Sequence, residues 1–209
     1  MRWWKTSAGA MPCVISLWMC EGKGINVELY LQKGCPEHSA ERLEKEQRCY
    51  ELLERLGIEF DRVDHEPADN MEICRSVETV LGAPICKNLF LCNRQQTQFY
   101  LLLMPGSKPF RTKEFSKKIE TSRLSFATAE HMQQYLDITP GSVSIFGLMN
   151  DKENAVHLAV DRDLLEQEYF GCHPCINTSS LKLKTEDVFG PILKALEHSV
   201  TVVELTGEE

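Results

Sequence analysis

The sequence predicts a protein of mixed helices and strands, and three observations carry that reading. Two apolar runs, residues 85–91 and 99–104, are joined by Asn93-Arg94-Gln95-Gln96-Thr97, the pattern of a β-hairpin with a longer loop. Residues 39–56 and 69–81 instead place apolar side chains at helical spacing. The length of 209 residues suits one domain with extensions, or at most two small ones, and is enough to bury a core without staples.

Each element has its own warrant. In 39–56, Cys49, Leu52, Leu53 and Leu56 follow i, i+3, i+4, i+7 spacing; Ser39 is the candidate N-cap and Gly57 the stop. Residues 58–63 read as a strand, broken at His65-Glu66-Pro67 because proline pushes the residue before it towards extended backbone. The helix 69–81 opens with Asp69 and Glu72 in capping-box spacing and turns Ile73, Val77 and Val80 inward. Gly82-Ala83-Pro84 ends it and delivers the chain to Lys87. The hairpin strands are continuously apolar, which predicts cover on both faces. After the turn Pro105-Gly106-Ser107, the basic segment 108–123 reads as an amphipathic helix with Phe115 and Ile119 inward. A capped helix is expected over 128–136 and a turn over 138–142. A second hairpin is expected from strands 143–149 and 155–160, followed by a short acidic helix or loop over 161–168. A Gly- and Pro-bracketed loop spans 171–178, leading into the alternation of Leu181 and Leu183. Residues 185–196 are helical in character, bent or split at Gly190-Pro191, and 200–205 form a last strand.

Composition excludes several classes. A net charge of -8 argues against a protein coated in nucleic acid, while leaving room for a local basic face. Nine irregularly spaced cysteines in a chain this long read as free thiols in a reducing, cytoplasmic compartment. Nothing approaches the roughly 20 apolar residues of a membrane span. Arg2 and Lys5 precede a mostly apolar stretch, 11–20, as in a signal peptide, but no small-x-small cleavage site follows. Residues 1–26 are therefore expected to be an extension outside the fold, or an over-long start to a chain beginning near Val27. The domain is expected over 27–205, with 206–209 a frayed tail.

Three stretches carry candidate chemistry. Lys87 and Asn88 stand at the mouth of a buried strand, as pocket floor or as a solvated flank. Lys108, Arg111, Lys113, Lys117, Lys118 and Arg123 face only Glu114 and Glu120, as a phosphate-binding surface or as the wet side of a helix. The 171–178 loop can aim successive backbone N–H groups at an oxygen. No nucleophile elbow, phosphate-cradling glycine loop or dinucleotide fingerprint is present. Cys172 and Cys175 with His173, Cys86 and Cys92 could supply zinc, but the second pair is spaced too widely for a usual knuckle. A Cys172 nucleophile paired to His173 is disfavoured, since adjacent residues on extended chain point opposite ways. Ester hydrolysis by positioning alone remains: a lysine, an asparagine and backbone donors around a carbonyl.

Four blocks occur in one order: Lys87-Asn88-Leu89-Phe90-Leu91; Arg123-Leu124-Ser125-Phe126; Thr139-Pro140-Gly141-Ser142-Val143 with Phe146-Gly147-Leu148-Met149-Asn150-Asp151; and Gly171-Cys172-His173-Pro174 with Asn177. Together they resemble the YbaK/prolyl-tRNA synthetase editing-domain family, especially its freestanding, PrdX-type members, from about Val27 to Leu205. The resemblance implies a single α+β domain with a mixed, partly barrel-like sheet flanked by helices. It implies hydrolysis of mischarged alanyl-tRNA(Pro) by a water aided by the substrate's ribose hydroxyl, with no cofactor or metal. Lys87, Asn88, Gly171 and His173 become the catalytic set, with His65, Pro174 and Asn177 binding substrate; Glu66 interrupts the His-Pro pair that members often have. Lys108, Arg111, Lys113, Lys117 and Lys118 become contacts for the tRNA(Pro) acceptor end. Prolyl-tRNA synthetase is a further implied partner; DNA and membrane are not. The competing readings are a cysteinyl-tRNA(Pro) deacylase of the same family and a non-catalytic module sensing an amino acid or charged tRNA.

Overall fold

The computed structural model of the chain describes residues 29–67 and 71–208. The expected N-terminal extension, 1–26, and the Asp69–Glu72 capping box lie outside the described residues and side chains. The elements follow in order: β1 (Leu31–Lys33), α1 (Glu44–Leu56), β2 (Asp61–Asp64), α2 (Met71–Leu81), β3 (Lys87–Asn93), β4 (Phe99–Met104), α3 (Thr112–Lys118) and β5 (Leu124–Phe126). Then come α4 (Ala129–His131) with a π-helical turn (Met132–Leu136), a 3-10 helix (Ile145–Met149), β6 (Val156–Asp161), α5 (Arg162–Leu165), β7 (Tyr169–Cys172) and β8 (Ser179–Lys184). The chain closes with α6 (Thr185–Asp187), a π turn (Val188–Ile192) holding Pro191, α7 (Leu193–Ala195) and β9 (Val200–Val203).

Among the described residues the architecture is α+β, with two open sheets where a partly barrel-like one was expected. One sheet is antiparallel, in the order β1-β2-β8-β7; the other is mixed, in the order β5-β3-β4-β6-β9. The hairpin β3–β4 forms as its apolar runs require, with Lys87 opposite Met104 and Leu91 opposite Tyr100. Its loop is held by Asn93, whose Oδ1 accepts from the N–H of Thr97 at 2.9 Å. Both faces are covered. Phe90, Cys92, Phe99, Leu101 and Leu103 enter the large core between the sheets, with α1 and the C-terminal helical segment; Leu91, Leu102 and Met104 enter a second core under α3. A third, smaller core packs Val77, Val80 and Leu81 of α2 against Val63 of β2.

Several expectations are corrected. Residues 145–149 are a buried 3-10 helix and not a strand, started by Ser144, whose side chain accepts from the Phe146 N–H. A continuous apolar run does not by itself distinguish buried strand from buried helix. The second hairpin is therefore absent: β6 lies parallel between β4 and β9. Ser39 starts a separate 3-10 turn, and α1 begins at Glu44 after Leu43. Gly57 ends α1 as expected, with φ 66°. Residues 206 and 207, expected to fray, are tied to α3 by Glu114, which accepts from the Thr206 and Gly207 N–H groups at 2.6 and 3.1 Å.

Candidate active site

The two sheets meet at a seam immediately before Lys87. Ile85 and Gly171 form a parallel bridge. The Gly171 N–H donates to the Pro84 carbonyl at 3.1 Å, and the Cys86 N–H donates to the Gly171 carbonyl at 2.9 Å. Glu78 of α2 accepts the Ile85 N–H at 2.9 Å. Two glycines permit this closeness. A Cβ on Gly171 would lie 2.5 Å from the Pro84 oxygen, and one on Gly106 would lie 2.4 Å from the Ile85 oxygen. Both obstacles are backbone, which has little room to yield. The segment that launches β3 is thus gripped by α2, by β7 and by the 105–109 turn. The residue that grips it from α2 is Glu78, which the sequence pattern did not single out.

Lys87 and Asn88, as neighbours on a strand, point to opposite faces. Lys87 shares the α3 face with Leu89 and Leu91, and its Nζ donates to the Lys108 carbonyl at 2.8 Å. An ammonium has three donors, so this bond leaves two for a ligand. Asn88 lies on the other face beside Cys86, whose Sγ sits 3.4 Å from its Oδ1. Both residues are partly exposed, at the rim where core gives way to solvent.

Gly171 was expected to offer a backbone donor to substrate. Its N–H is committed to Pro84, so its contribution is close approach of the two sheets. Beyond it, Cys175 adopts a left-handed φ of 62° and Pro174 is buried. Asn177, partly exposed, lies at the far end of this loop; its Nδ2 is 3.6 Å from where a Cβ on Gly141 would stand.

His65 and His173 are brought together by a residue the sequence did not single out, Ser180. His65 Nε2 lies 2.9 Å from Ser180 Oγ, and His65 Nδ1 lies 2.7 Å from the Glu66 carbonyl. His173 Nδ1 lies 3.0 Å from the Ser179 carbonyl and 3.4 Å from Ser180 Oγ. A carbonyl only accepts, so both Nδ1 atoms carry the proton. Neutral His65 then accepts the Ser180 hydroxyl proton at Nε2, and His173 keeps a lone pair at Nε2. Burial lowers both pKa values below the ordinary 6.5, and in His173 the neighbouring His65 adds to this. The signal for Ser180 was weak: a serine in an alternating strand ordinarily faces solvent.

Cys49, Cys86, Cys92, Cys172 and Cys175 are buried in the core. Cys49 and Cys175 approach to 3.7 Å between sulfurs, both buried. Burial pushes Cys172 well above an ordinary thiol and Cys86 up to about 12, so a Cys172 thiolate is costly. Among the described residues, no three His, Cys, Asp or Glu side chains gather as metal ligands.

The basic segment divides. Lys108 is drawn into the fold: its Nζ meets Asp161 at 2.7 Å, Asp163 at 2.6 Å and the Leu205 carbonyl at 2.7 Å. Burial works against its charge, but the two aspartates outweigh this and raise its pKa. Lys108, expected among the tRNA contacts, is here bonded to residues of the fold itself. Arg111, Lys113, Lys117, Lys118 and Arg123 are exposed.

The family model of the aminoacyl-tRNA editing domain matches residues 65–189, from His65 to past the β7–β8 loop, and the chain belongs to that family. Among curated proteins it is similar to the prolyl-tRNA editing protein ProX of Acetoanaerobium sticklandii, 29% identical over 163 residues, covering 78% of this chain and 99% of that one. It is also similar to prolyl-tRNA synthetase associated domain-containing protein 1 of Danio rerio, 24% identical over 155 residues, covering 73% of this chain and 83% of the relative. Among solved structures, a candidate trans-editing enzyme for prolyl-tRNA synthetase shares the fold, with TM-score 0.58 and 15% identity, covering 78% of this chain and 99% of that one.

Proposed function

We propose that this protein is a trans-editing deacylase that hydrolyses mischarged alanyl-tRNA(Pro). The observation that carries the reading is the clamped launch of β3, where the backbone of Ile85 and Cys86 is bridged to Gly171 immediately before Lys87 and Asn88, in a chain of the editing-domain family. The reaction is attack of water on the ester carbonyl, collapse of the tetrahedral intermediate with cleavage of the carbonyl carbon–ribose oxygen bond, and transfer of the water's proton to the departing ribose oxygen, giving free alanine and a ribose hydroxyl. An activated ester needs no enzymic nucleophile, in keeping with the burial that disfavours a thiolate at Cys86 and Cys172. Lys87 offers two further ammonium donors to the terminal phosphate or ribose. The side-chain amide of Asn88 and backbone donors of the 173–178 loop serve the developing oxyanion, each such donor lowering the barrier by about 3 kcal/mol. His173 Nε2, unprotonated, accepts a hydrogen bond from the substrate's ammonium, its ribose hydroxyl or the attacking water. That hydroxyl assists the water, so the substrate supplies part of its own catalysis. Selection is by size: a small site admits alanine and rejects proline. The acceptor end of tRNA(Pro) is the ligand, and prolyl-tRNA synthetase the natural supplier of mischarged substrate.

The test is deacylation of alanyl-, cysteinyl- and prolyl-tRNA carrying the proline anticodon, wild type beside Lys87→Ala. Wild type is expected to clear the alanyl ester, with a fall of at least about 100-fold in the variant, the loss that removal of one such donor brings. Clearance of the cysteinyl ester alone would reassign the substrate. Hydrolysis of none of the three would overturn the enzymic reading in favour of a sensor.

A further inference from the structure

Phe126 is 60% exposed at the end of the edge strand β5. The fold leaves this large apolar ring in water although the second core lies directly beneath it. Its Cα partner in β3 is the fully buried Leu91. Phe110 stands edge-on to it at 6.1 Å between ring centroids and is itself braced by Phe115 of α3 at 6.3 Å. The outer ring is therefore held from behind by a chain of aromatics that ends in the core.

The surroundings are cationic. Arg111 follows Phe110 directly, Lys113 and Lys117 lie one helical turn apart on α3, and Lys118 and Arg123 complete an exposed group. Of the acids in this segment, Glu114 is occupied by the C-terminal backbone. In a chain of net charge -8, five exposed cations around one exposed ring form a local complement to a polyanion carrying flat, apolar groups. Unpaired nucleic acid has that chemistry: phosphates for the cations and bases that stack on aromatic faces.

The platform is aligned with Lys87. Alternation along β3 sets Lys87, Leu89 and Leu91 on one face, and Phe126, opposite Leu91, shares it. Four residues of strand separate Lys87 from Leu91, about 13 Å, which a few unpaired nucleotides can span. Lys87 also bonds the Lys108 carbonyl, two residues before Phe110.

We infer that Phe126, backed by Phe110, is a stacking platform for an unpaired base near the RNA 3′ end, with Arg111, Lys113, Lys117 and Lys118 holding the flanking phosphates. This rests on the editing reading above and adds where the strand leading to the ester is held.

The probes are two uncharged RNA minihelices carrying the tRNA(Pro) acceptor-stem sequence, one with its four-nucleotide 3′ overhang and one blunt. Binding is measured by fluorescence anisotropy at several salt concentrations. Wild type is expected to bind the overhang form about tenfold more tightly than the blunt form, the value of one stacked base. Phe126→Ala should abolish this difference while leaving blunt-end binding and the melting temperature unchanged; Phe126→Trp should restore it. Lys113→Glu with Lys117→Glu should weaken both probes and flatten the salt dependence. Equal affinity of wild type and Phe126→Ala for the overhang probe would overturn the platform while leaving the editing reading intact. No RNA binding by wild type would remove both. Concentration-dependent dimerisation lost in Phe126→Ala would instead assign the ring to an interface between copies.

Discussion

At the scale of single residues, the geometry around Lys87 depends on backbone packing at the seam before it. Gly171 has nowhere to put a side chain, since its Cβ would fall 2.5 Å from a backbone oxygen. Gly171→Ala is expected to cost about 1–3 kcal/mol, the usual penalty of overpacking. It should also reduce deacylation further than the stability loss accounts for, because the seam that launches Lys87 must open; urea unfolding beside the deacylation assay separates the two effects. Ser180 acts through the histidines. Ser180→Ala removes the donor that His65 Nε2 accepts and frees the His173 ring from one of its two partners. We expect a folded protein with an altered pH–rate profile, and Ser180→Thr, which keeps the hydroxyl, to restore it.

At the scale of elements, the loop entering β6 shows how buried charge is stabilised by use. Asp151 is buried and accepts the Ala155 N–H at 3.0 Å, the Val156 N–H at 2.8 Å and a contact from His198 Nε2 at 3.1 Å. His198 in turn places Nδ1 2.6 Å from the Leu196 carbonyl, joining β6 to the C-terminal helical segment. A carboxylate placed this way organises one strand start and one helix end together. Asp151→Ala leaves two N–H groups and His198 Nε2 without partners, and should cost about 3 kcal/mol, read as a lower urea midpoint with m unchanged. The same residue explains a difference from the sequence pattern. Asn150-Asp151 has the composition of a hairpin turn, but the aspartate side chain binds forward into β6, and the preceding run coils into a 3-10 helix against Ile138 and Leu136.

At the scale of the whole molecule, stability should fall on the acid side in two stages. His65 and His173 have pKa values lowered in the fold, so the unfolded chain binds protons more readily. Their contribution is complete above pH 6.5 and is lost as pH falls from there through the folded values. Protonating His65 also turns Nε2 from acceptor to donor. For Asp64, burial raises the pKa, but the Arg42 and Arg62 bonds outweigh this and leave it lowered. Its contribution persists until pH falls below the ordinary aspartate value of 3.8. Melting temperature against pH should show a first decline beginning near pH 6.5 that is reduced in the His65→Gln, His173→Gln pair, and a later decline that is not. A wild-type curve flat from pH 8 to 4 would contradict the burial of the two rings.

Local periodicity and punctuation determined the hairpin β3–β4, the α2 helix, the end of α1 at Gly57 and the bend at Pro191, because each is fixed by neighbours within a few residues. The order of four motif blocks determined the family. Only the tertiary structure decided what those segments meet. It set β6 parallel to β4 in place of a local partner, coiled 145–149 into a 3-10 helix, and spent Lys108 on Asp161 and Asp163 instead of on solvent. It also spent the Gly171 N–H on Pro84 and joined His65 to His173 through Ser180. Each of these is a contact between residues far apart in the chain, where the deciding energy is the pairing of buried polar groups and the fit of backbone against backbone. A linear pattern records which residues are apolar and where the chain turns; it does not record which distant donor will find which acceptor.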